Sequence, residues 1–332
     1  MDTNLHSINL METLKMDEIR ILKTNHLFDF DQSINFVQGF PLSKSYSAKK
    51  CLLNSIQIDG YNLLFQVTQN TENSLKLEIC NSNQKLPNEI FDKLERRIRL
   101  YLSLDDDLTQ FYTLADSDPV FSEIRDLLYG YHQVKFLTPF EAACWAILSA
   151  RNTIPVAMKL KRSLCVDLGL TLKYNNREFL SFPEPVTLLD ISDQRLAKIL
   201  RSDKKAGYLM NVAEFFYETS EVELLDIPSK LLIDRLKAIN GIGSWSAELI
   251  AIRGLGIMDI LENPESRLLK AFKNHYSKNA EIKTILEYYG DFKAYWAHYL
   301  RVCDLLYSSY LEKSHKTHHE NTQITKKNLC CF

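Results

Sequence analysis

The chain has 332 residues, of which 45% are hydrophobic and 25% charged, and its formal net charge is −2. The length allows two or more hydrophobic cores, and a net charge near zero excludes a broadly basic surface. Any affinity for nucleic acid must therefore come from a local patch or from backbone groups. No apolar run approaches ~18 residues and the N-terminus lacks the apolar region of a signal peptide, so we expect neither a membrane span nor secretion.

The seven cysteines have no spacing typical of a zinc site or an iron–sulfur cluster. They are interpreted as reduced thiols, which are usual inside cells. We expect no metal and no organic cofactor.

The first 110 residues predict a small mixed domain. Residues 1–20 are interpreted as a flexible lead. Three short β-rich runs follow at 51–58, 61–69 and 74–80, and turn-forming residues such as Asp59 and Gly60 separate them. Apolar residues then recur at helical spacing over 87–102. The segment 21–110 is therefore predicted to be an antiparallel sheet with a helix packed on one face.

From residue 111 to residue 311 the pattern is helical. Helix starts are indicated where Pro119 follows Asp118 and where Pro139 follows Thr138. We expect nine or ten helices here, and the fold class is α+β. The polar tail 312–332 is predicted to be disordered. Its histidines could bind a metal or be solvated, and both interpretations stay open; they are His315, His318 and His319.

The segment LKAINGIGSWSAELIAIRG (236–254) contains two helical patterns separated by a turn with two glycines. Glycines permit a tight turn and the close approach of another backbone. The opening of the second helix offers unpaired amides and the positive end of the helix dipole, which suit a phosphate and read no base sequence. The alternative is a turn that uses glycine only to pack. The predicted contacts to the DNA backbone are Asn240, Gly241, Ile242, Gly243, Ser244 and Ser246.

This segment resembles the helix–hairpin–helix DNA glycosylases, whose signature is similar to L-x-x-I-x-G-I-G-x-W-[ST]-A-x-x-x-x-x-R-G. The resemblance is greater to the alkylpurine (3-methyladenine) DNA glycosylase II family. Three further segments, 140–164, 182–213 and 291–301, look like that family's wedge segment, its F-P-x-P segment and its C-terminal aromatic helix.

The resemblance implies two helical subdomains that flank a cleft within 111–311. It also implies base-excision repair, in which a monomeric enzyme hydrolyses the N-glycosidic bond of a flipped, alkylated purine in double-stranded DNA. Such an enzyme would act in the bacterial cytoplasm (nucleoid) or in a eukaryotic nucleus. The alternative is a non-catalytic DNA-binding protein that kept the hairpin and lost the geometry of the catalytic carboxylate.

In the family an aspartate beyond the hairpin stabilises the cationic sugar as the base departs. The corresponding position here is Glu265, which is one methylene longer; Asp259 and Glu262 are alternatives, although an acid at the place of Asp259 resembles a structural cap.

Relatives with a lyase step carry a lysine two residues after the second glycine of the hairpin. Trp245 stands there, so no Schiff base is expected.

The resemblance also implies a base pocket and a wedge. The pocket residues would be Trp245, Tyr295, Trp296, Tyr299 and Arg301, and the aromatic ones could equally be core. Arg301 stands where the family has a stacking tryptophan, and its charge favours a neutral base over a cationic one. The wedge position falls near Arg151, with Asn152 beside it, and a solvated loop is the alternative. Lys204 and Lys205 are either close to phosphate or part of a solvated turn.

Overall fold

The computed structural model describes residues 19–39, 46–48, 50–81 and 86–306. It divides into two compact units. Unit 1 contains the chain up to residue 109 together with 130–263, and unit 2 contains 110–129 and the chain from 264 onward. Of the predicted lead, residues 1–18 lie outside the described residues, as does the whole of the tail 312–332 with its three histidines.

Unit 1 begins with a five-stranded antiparallel sheet in the order β1-β5-β4-β3-β2. Its strands are β1 Ile19–Lys23, β2 Tyr46–Ala48, β3 Cys51–Ile58, β4 Tyr61–Thr71 and β5 Ser74–Ile79. The three predicted strands are confirmed as β3, β4 and β5. The last two residues of the predicted lead, Ile19 and Arg20, instead pair in β1 with Leu77 and Glu78 of β5.

The turn between β3 and β4 shows why the sequence forms this hairpin. Asp59 and Gly60 both have positive φ, 51° and 79°, as a two-residue hairpin turn with the right twist requires. The carboxylate of Glu184 accepts both of their amides at 2.8 Å. This contact ties the sheet to the helical part of the same unit.

The described helices are mostly short. They are α1 Phe30–Gly39, α2 Asn88–Leu102, α3 Thr109–Asp116, α4 Phe121–Leu127, α5 Pro139–Ser149, α6 Ile154–Asp167, α7 Pro185–Leu189, α8 Asp193–Leu200, α9 Asp203–Glu218, α10 Glu221–Leu225, α11 Ser229–Lys237, α12 Ser244–Ile250, α13 Ser266–His275, α14 Ile282–Tyr289 and α15 Lys293–Leu306. Thirteen of them fall within the described residues 109–306, more than the nine or ten predicted. Two of these, α7 and α10, have only five residues each, too few to show a period in the sequence.

A second, two-stranded sheet interrupts the region predicted as helical. Strands β6 Thr171–Tyr174 and β7 Arg177–Leu180 are joined by Asn175 and Asn176, both with positive φ. Phe179 of β7 packs in a cluster with Leu53 and Leu64 of the large sheet. The hairpin is thus stabilised by tertiary burial, which the local sequence does not display.

Helix α5 is the centre of the helical part of unit 1. Ten of its eleven residues are buried. The oxygen of Thr138 caps it by accepting the amide of Glu141 at 3.0 Å, and Pro139 occupies its first position, as predicted. Leu236 and Ala247 of the predicted hairpin belong to the same hydrophobic cluster as α5. The described part of the chain contains no helix that is long and apolar enough to cross a membrane.

Unit 2 has an aromatic core. Phe111, Phe121, Tyr289, Trp296 and Tyr299 are essentially inaccessible, and their ring centroids lie 5–6.5 Å apart. Such edge-to-face and tilted contacts favour a single packing arrangement. The core is therefore built around α15, the helix that the sequence comparison associated with the base pocket.

Candidate nucleic-acid interface and carboxylate site

The segment 236–254 forms a helical hairpin, as the two patterns predicted. Helix α11 ends at Lys237, α12 begins at Ser244, and a π-helical turn, Ala251–Leu255, continues it. The apolar positions that flank the turn are all buried; they are Leu236, Ile239, Ile242, Ala247 and Ile250. Their burial holds the two helices of the hairpin against each other.

The start of α12 is open to an external acceptor. Gly243, in an extended conformation, caps the helix without any side-chain hydrogen bond. Asn240, Gly243 and Ser244 are exposed, whereas the side chain of Ser246 is 7% exposed. The first amides of a helix lack intrahelical partners. A phosphate here would therefore be bound mainly through the backbone.

Gly241 is required by the turn. Its φ is +104°, and a Cβ would lie 2.4 Å from Cγ of Tyr208 in α9. Asn211, one turn further along α9, donates its Nδ2 to the carbonyl of Asn240 at 3.3 Å. Helix α9 therefore supports the turn directly.

A buried glutamate of the hairpin anchors the segment that follows it. Glu248 of α12 is 5% exposed, and its carboxylate accepts the amides of Glu262 and Asn263, both at 3.2 Å, and Nδ2 of Asn263 at 2.5 Å. Glu248 was not among the predicted residues, although an acid among apolar residues of a packed helix is a usable signal, because buried charges need partners. Glu265 follows Asn263 by two residues along the chain.

We expect Glu248→Gln to destabilise the protein by about 1–2 kcal/mol, because a carboxamide cannot accept every hydrogen bond that the carboxylate accepts. Denaturant unfolding measures the effect. Glu214→Gln, at an exposed position of α9, is the matched control and should leave the stability unchanged. Wild-type stability in Glu248→Gln would contradict the anchoring role.

The other two carboxylate candidates are placed differently. Asp259 accepts the hydroxyl of Ser229, the first residue of α11, at 2.8 and 2.9 Å. This contact agrees with the structural role that the family resemblance implies. The side chain of Glu262 is exposed.

Glu265 lies in unit 2, at the residue that precedes α13. Its carboxylate does not cap that helix; Oε1 instead accepts Nη1 of Arg301 at 2.8 Å, and both side chains are about a quarter exposed, 29% and 26%. The ion pair joins the predicted catalytic carboxylate to the predicted pocket arginine. A partly exposed pair of this kind restrains both side chains while leaving them accessible to a ligand.

The three aromatic residues of α15 are buried. Tyr295 is 2% exposed, and Trp296 and Tyr299 are fully inaccessible. Trp296 donates Nε1 to the hydroxyl of Tyr276 at 3.0 Å, and Tyr276 donates to Asp118 at 2.6 Å. Burial and the adjacent Asp118 raise the pKa of Tyr276. These rings form the core of unit 2, and their role in base binding stays a prediction.

Trp245 is arranged differently. It lies in unit 1 at the second position of α12 and is 37% exposed. A large exposed aromatic next to the open helix start has surface free to stack on a ligand. Trp145, by contrast, is 4% exposed and packs in a small core with Phe136.

The predicted wedge lies at the end of α5. Arg151 is exposed and has a φ of +58°, in the left-handed region. Asn152 donates its Nδ2 to the carbonyl of Leu148 at 2.8 Å. The turn is thus fixed by Asn152, and the side chain of Arg151 projects from it.

No family model matches the chain. A DNA-3-methyladenine glycosylase of Bacillus subtilis is 22% identical over 244 residues, which are 73% of this chain and 80% of that protein. A solved structure of a 3-methyladenine DNA glycosylase from Archaeoglobus fulgidus superimposes with a TM-score of 0.72 at 20% identity, covering 87% of this chain and 99% of that one. The structure of a Clostridium acetobutylicum 8-oxoguanine glycosylase/lyase in complex with double-stranded DNA superimposes with a TM-score of 0.62 at 17% identity. This superposition covers 87% of this chain and 98% of that one.

The chain shares its fold with a 3-methyladenine DNA glycosylase, and its sequence is similar to that of another. The predicted resemblance and the predicted α+β class are therefore confirmed.

Proposed function

We propose that this protein is a base-excision-repair DNA glycosylase that hydrolyses the N-glycosidic bond of a flipped, alkylated purine. One observation carries the proposal: the hairpin with an open helix start is followed, eleven residues after Gly254, by a carboxylate held by an arginine. The Bacillus and Archaeoglobus relatives are 3-methyladenine DNA glycosylases, which supports 3-methyladenine as a substrate.

The chemistry follows from charge. As the base leaves with the bonding electrons of the glycosidic bond, positive charge develops on the sugar, and the Glu265 carboxylate would stabilise it. Water then adds to C1′ and loses a proton, which leaves an abasic site and a free base. Arg301 holds the longer glutamate side chain in one place, and this restraint offsets the misplacement that an extra methylene would otherwise cause.

Binding to DNA is assigned to the turn and the start of α12. Amides of the hairpin would hold a phosphate of the backbone whatever the base sequence, and Arg151 would enter the base stack where the purine has left. Affinity should therefore fall steeply with salt, with a logarithmic slope of about −0.9 for each phosphate neutralised.

The deciding experiment incubates the protein with methylated duplex DNA and quantifies released 3-methyladenine and 7-methylguanine. Release by the wild-type chain supports the proposal. Duplexes with hypoxanthine or uracil test whether Arg301 shifts the preference toward neutral bases. Binding of these substrates without release of any base would overturn the glycosylase proposal in favour of a non-catalytic DNA-binding protein.

We expect no strand cleavage by β-elimination, because Trp245 occupies the position of the lyase lysine. Reduction of the reaction mixture with borohydride should trap no covalent protein–DNA complex, and strands should break only after alkali cleaves the abasic site. A trapped complex would contradict the assignment and would require another amine to act as the nucleophile.

A further inference from the structure

Lys205 holds the end of the helix that leads into the predicted wedge. It lies in the first turn of α9, and its Nζ donates to three carbonyls at the C-terminal end of α5, those of Ile147 at 2.5 Å, Ala150 at 3.0 Å and Leu148 at 3.4 Å. The last carbonyls of a helix lack intrahelical partners and carry partial negative charge. An ammonium group, with three donors, matches this site. Partial burial lowers the pKa of Lys205, consistent with a side chain turned toward protein.

The contact bears directly on the backbone of the wedge. Arg151, immediately after Ala150, adopts a left-handed conformation that an arginine keeps only where its surroundings enforce it. Lys205 fixes the carbonyl before it, and Asn152 bonds back to α5 from the other side. The backbone of Arg151 is thus fixed on both sides while its side chain remains exposed.

The same face of α9 also supports the hairpin. Lys205, Tyr208 and Asn211 are spaced by three residues and therefore share a helix face. Tyr208 lies against Gly241, and Asn211 bonds to the carbonyl of Asn240. One rigid helix therefore contacts both the loop of Arg151 and the turn between α11 and α12.

We infer that Lys205 is a positioning residue for the distortion of DNA. By anchoring the Arg151 loop to α9, it sets the spacing between the wedge and the phosphate-binding turn, so that Arg151 enters the base stack while the hairpin holds the backbone. This assignment differs from a phosphate contact and from a solvated turn. It rests on the proposed function, because it needs Arg151 to meet duplex DNA.

The anchoring is tested first in the free protein by hydrogen–deuterium exchange. In Lys205→Met the amides of Ala150 and Asn152 should exchange about tenfold faster, since the lost bonds involve a charged donor. Lys205→Arg, which keeps the charge and the donors, should restore protection. Lys198→Met, at an exposed lysine of α8, is the matched control and should have no effect. Wild-type exchange in Lys205→Met would overturn the proposal.

The role in DNA distortion is tested with 2-aminopurine placed beside an abasic-site analogue in a duplex. Wild-type protein and Lys205→Arg should raise its fluorescence by opening the stack, whereas Lys205→Met and Arg151→Ala should give less than about half of that rise. The salt slope of binding should be the same in Lys205→Met and wild type. A slope smaller by about 1 would make Lys205 a phosphate contact and overturn the proposal.

The outcomes separate this proposal from the proposed function. If the wild-type fluorescence rise persists in Lys205→Met, Lys205 has no positioning role, while the glycosylase assignment stands. If the wild-type chain does not bind the duplex, the proposed function fails, and the positioning role fails with it. Should Lys205→Met not fold, Lys205→Gln replaces it, because its single donor group predicts an intermediate increase in exchange and an intermediate fluorescence.

Discussion

Replacing Glu265 with glutamine is expected to slow release of the alkylated base by about 10²- to 10³-fold, the usual cost of removing one group that stabilises charge in a transition state. The amide oxygen can still accept the hydrogen bond of Arg301, so the fold and the affinity for DNA should change little. The variant loses only the negative charge that we propose stabilises the sugar. Single-turnover release of 3-methyladenine and 7-methylguanine from methylated DNA measures the effect.

Two comparisons make this result specific. Glu262→Gln alters an exposed carboxylate three residues earlier and should release base at the wild-type rate. Glu265→Asp keeps the charge but shortens the side chain, which places the carboxylate further from Arg301. Its rate of base release should therefore lie between those of wild type and Glu265→Gln. Equal rates for wild type and Glu265→Gln would remove Glu265 from the mechanism.

Gly241→Ala is expected to destabilise unit 1 by about 3 kcal/mol. An alanine at φ +104° carries backbone strain of about 1–3 kcal/mol, and its Cβ would overlap the ring of Tyr208, which adds a cost of about 1–3 kcal/mol. Affinity for DNA should fall too, because the substitution shifts the turn and with it the start of α12. Thermal unfolding and equilibrium binding to duplex DNA measure the two effects.

Gly243→Ala is the matched control, since it alters the second glycine of the same turn. A Cβ there meets nothing within 4 Å, and φ is −94°, so stability should change by less than about 1 kcal/mol, the cost of replacing a glycine cap with alanine. Adding Tyr208→Ala to Gly241→Ala removes the ring atoms at 2.4 and 2.7 Å but leaves Cβ of residue 208 at 2.8 Å and the backbone strain, so most of the cost should remain. Equal stability of the two single glycine variants would contradict the account of the turn.

The local elements with strong periodic patterns were predictable from the sequence. The residues of β3, β4 and β5 are continuously apolar or alternate between apolar and polar, and turn-forming residues separate these strands. The buried residues of α2 recur at helical spacing. The pattern that predicts each element therefore lies within its own residues. The hairpin was predictable for the same reason, because its glycines and its flanking apolar residues lie within nineteen consecutive positions.

Other features depend on contacts between distant parts of the chain. The β6–β7 hairpin is stabilised by Phe179 packing near β3 and β4, and β1 exists because β5 provides a free edge. The bonds from Glu248 to Asn263 and from Lys205 to the end of α5 join segments 15 to more than 50 residues apart. Periodicity carries no information about such pairs.

The sequence by itself determined that the chain carries a glycine hairpin of the glycosylase type and an acid at the place of the family's aspartate. Only the tertiary structure decided that this acid, Glu265, is bonded to Arg301, and that the aromatic rings of α15 lie in a core while Trp245 is exposed. The physical reason is that burial and ion pairing depend on which surfaces meet after folding. An aromatic residue at helical spacing gives the same sequence pattern whether it faces a core or solvent in the folded protein.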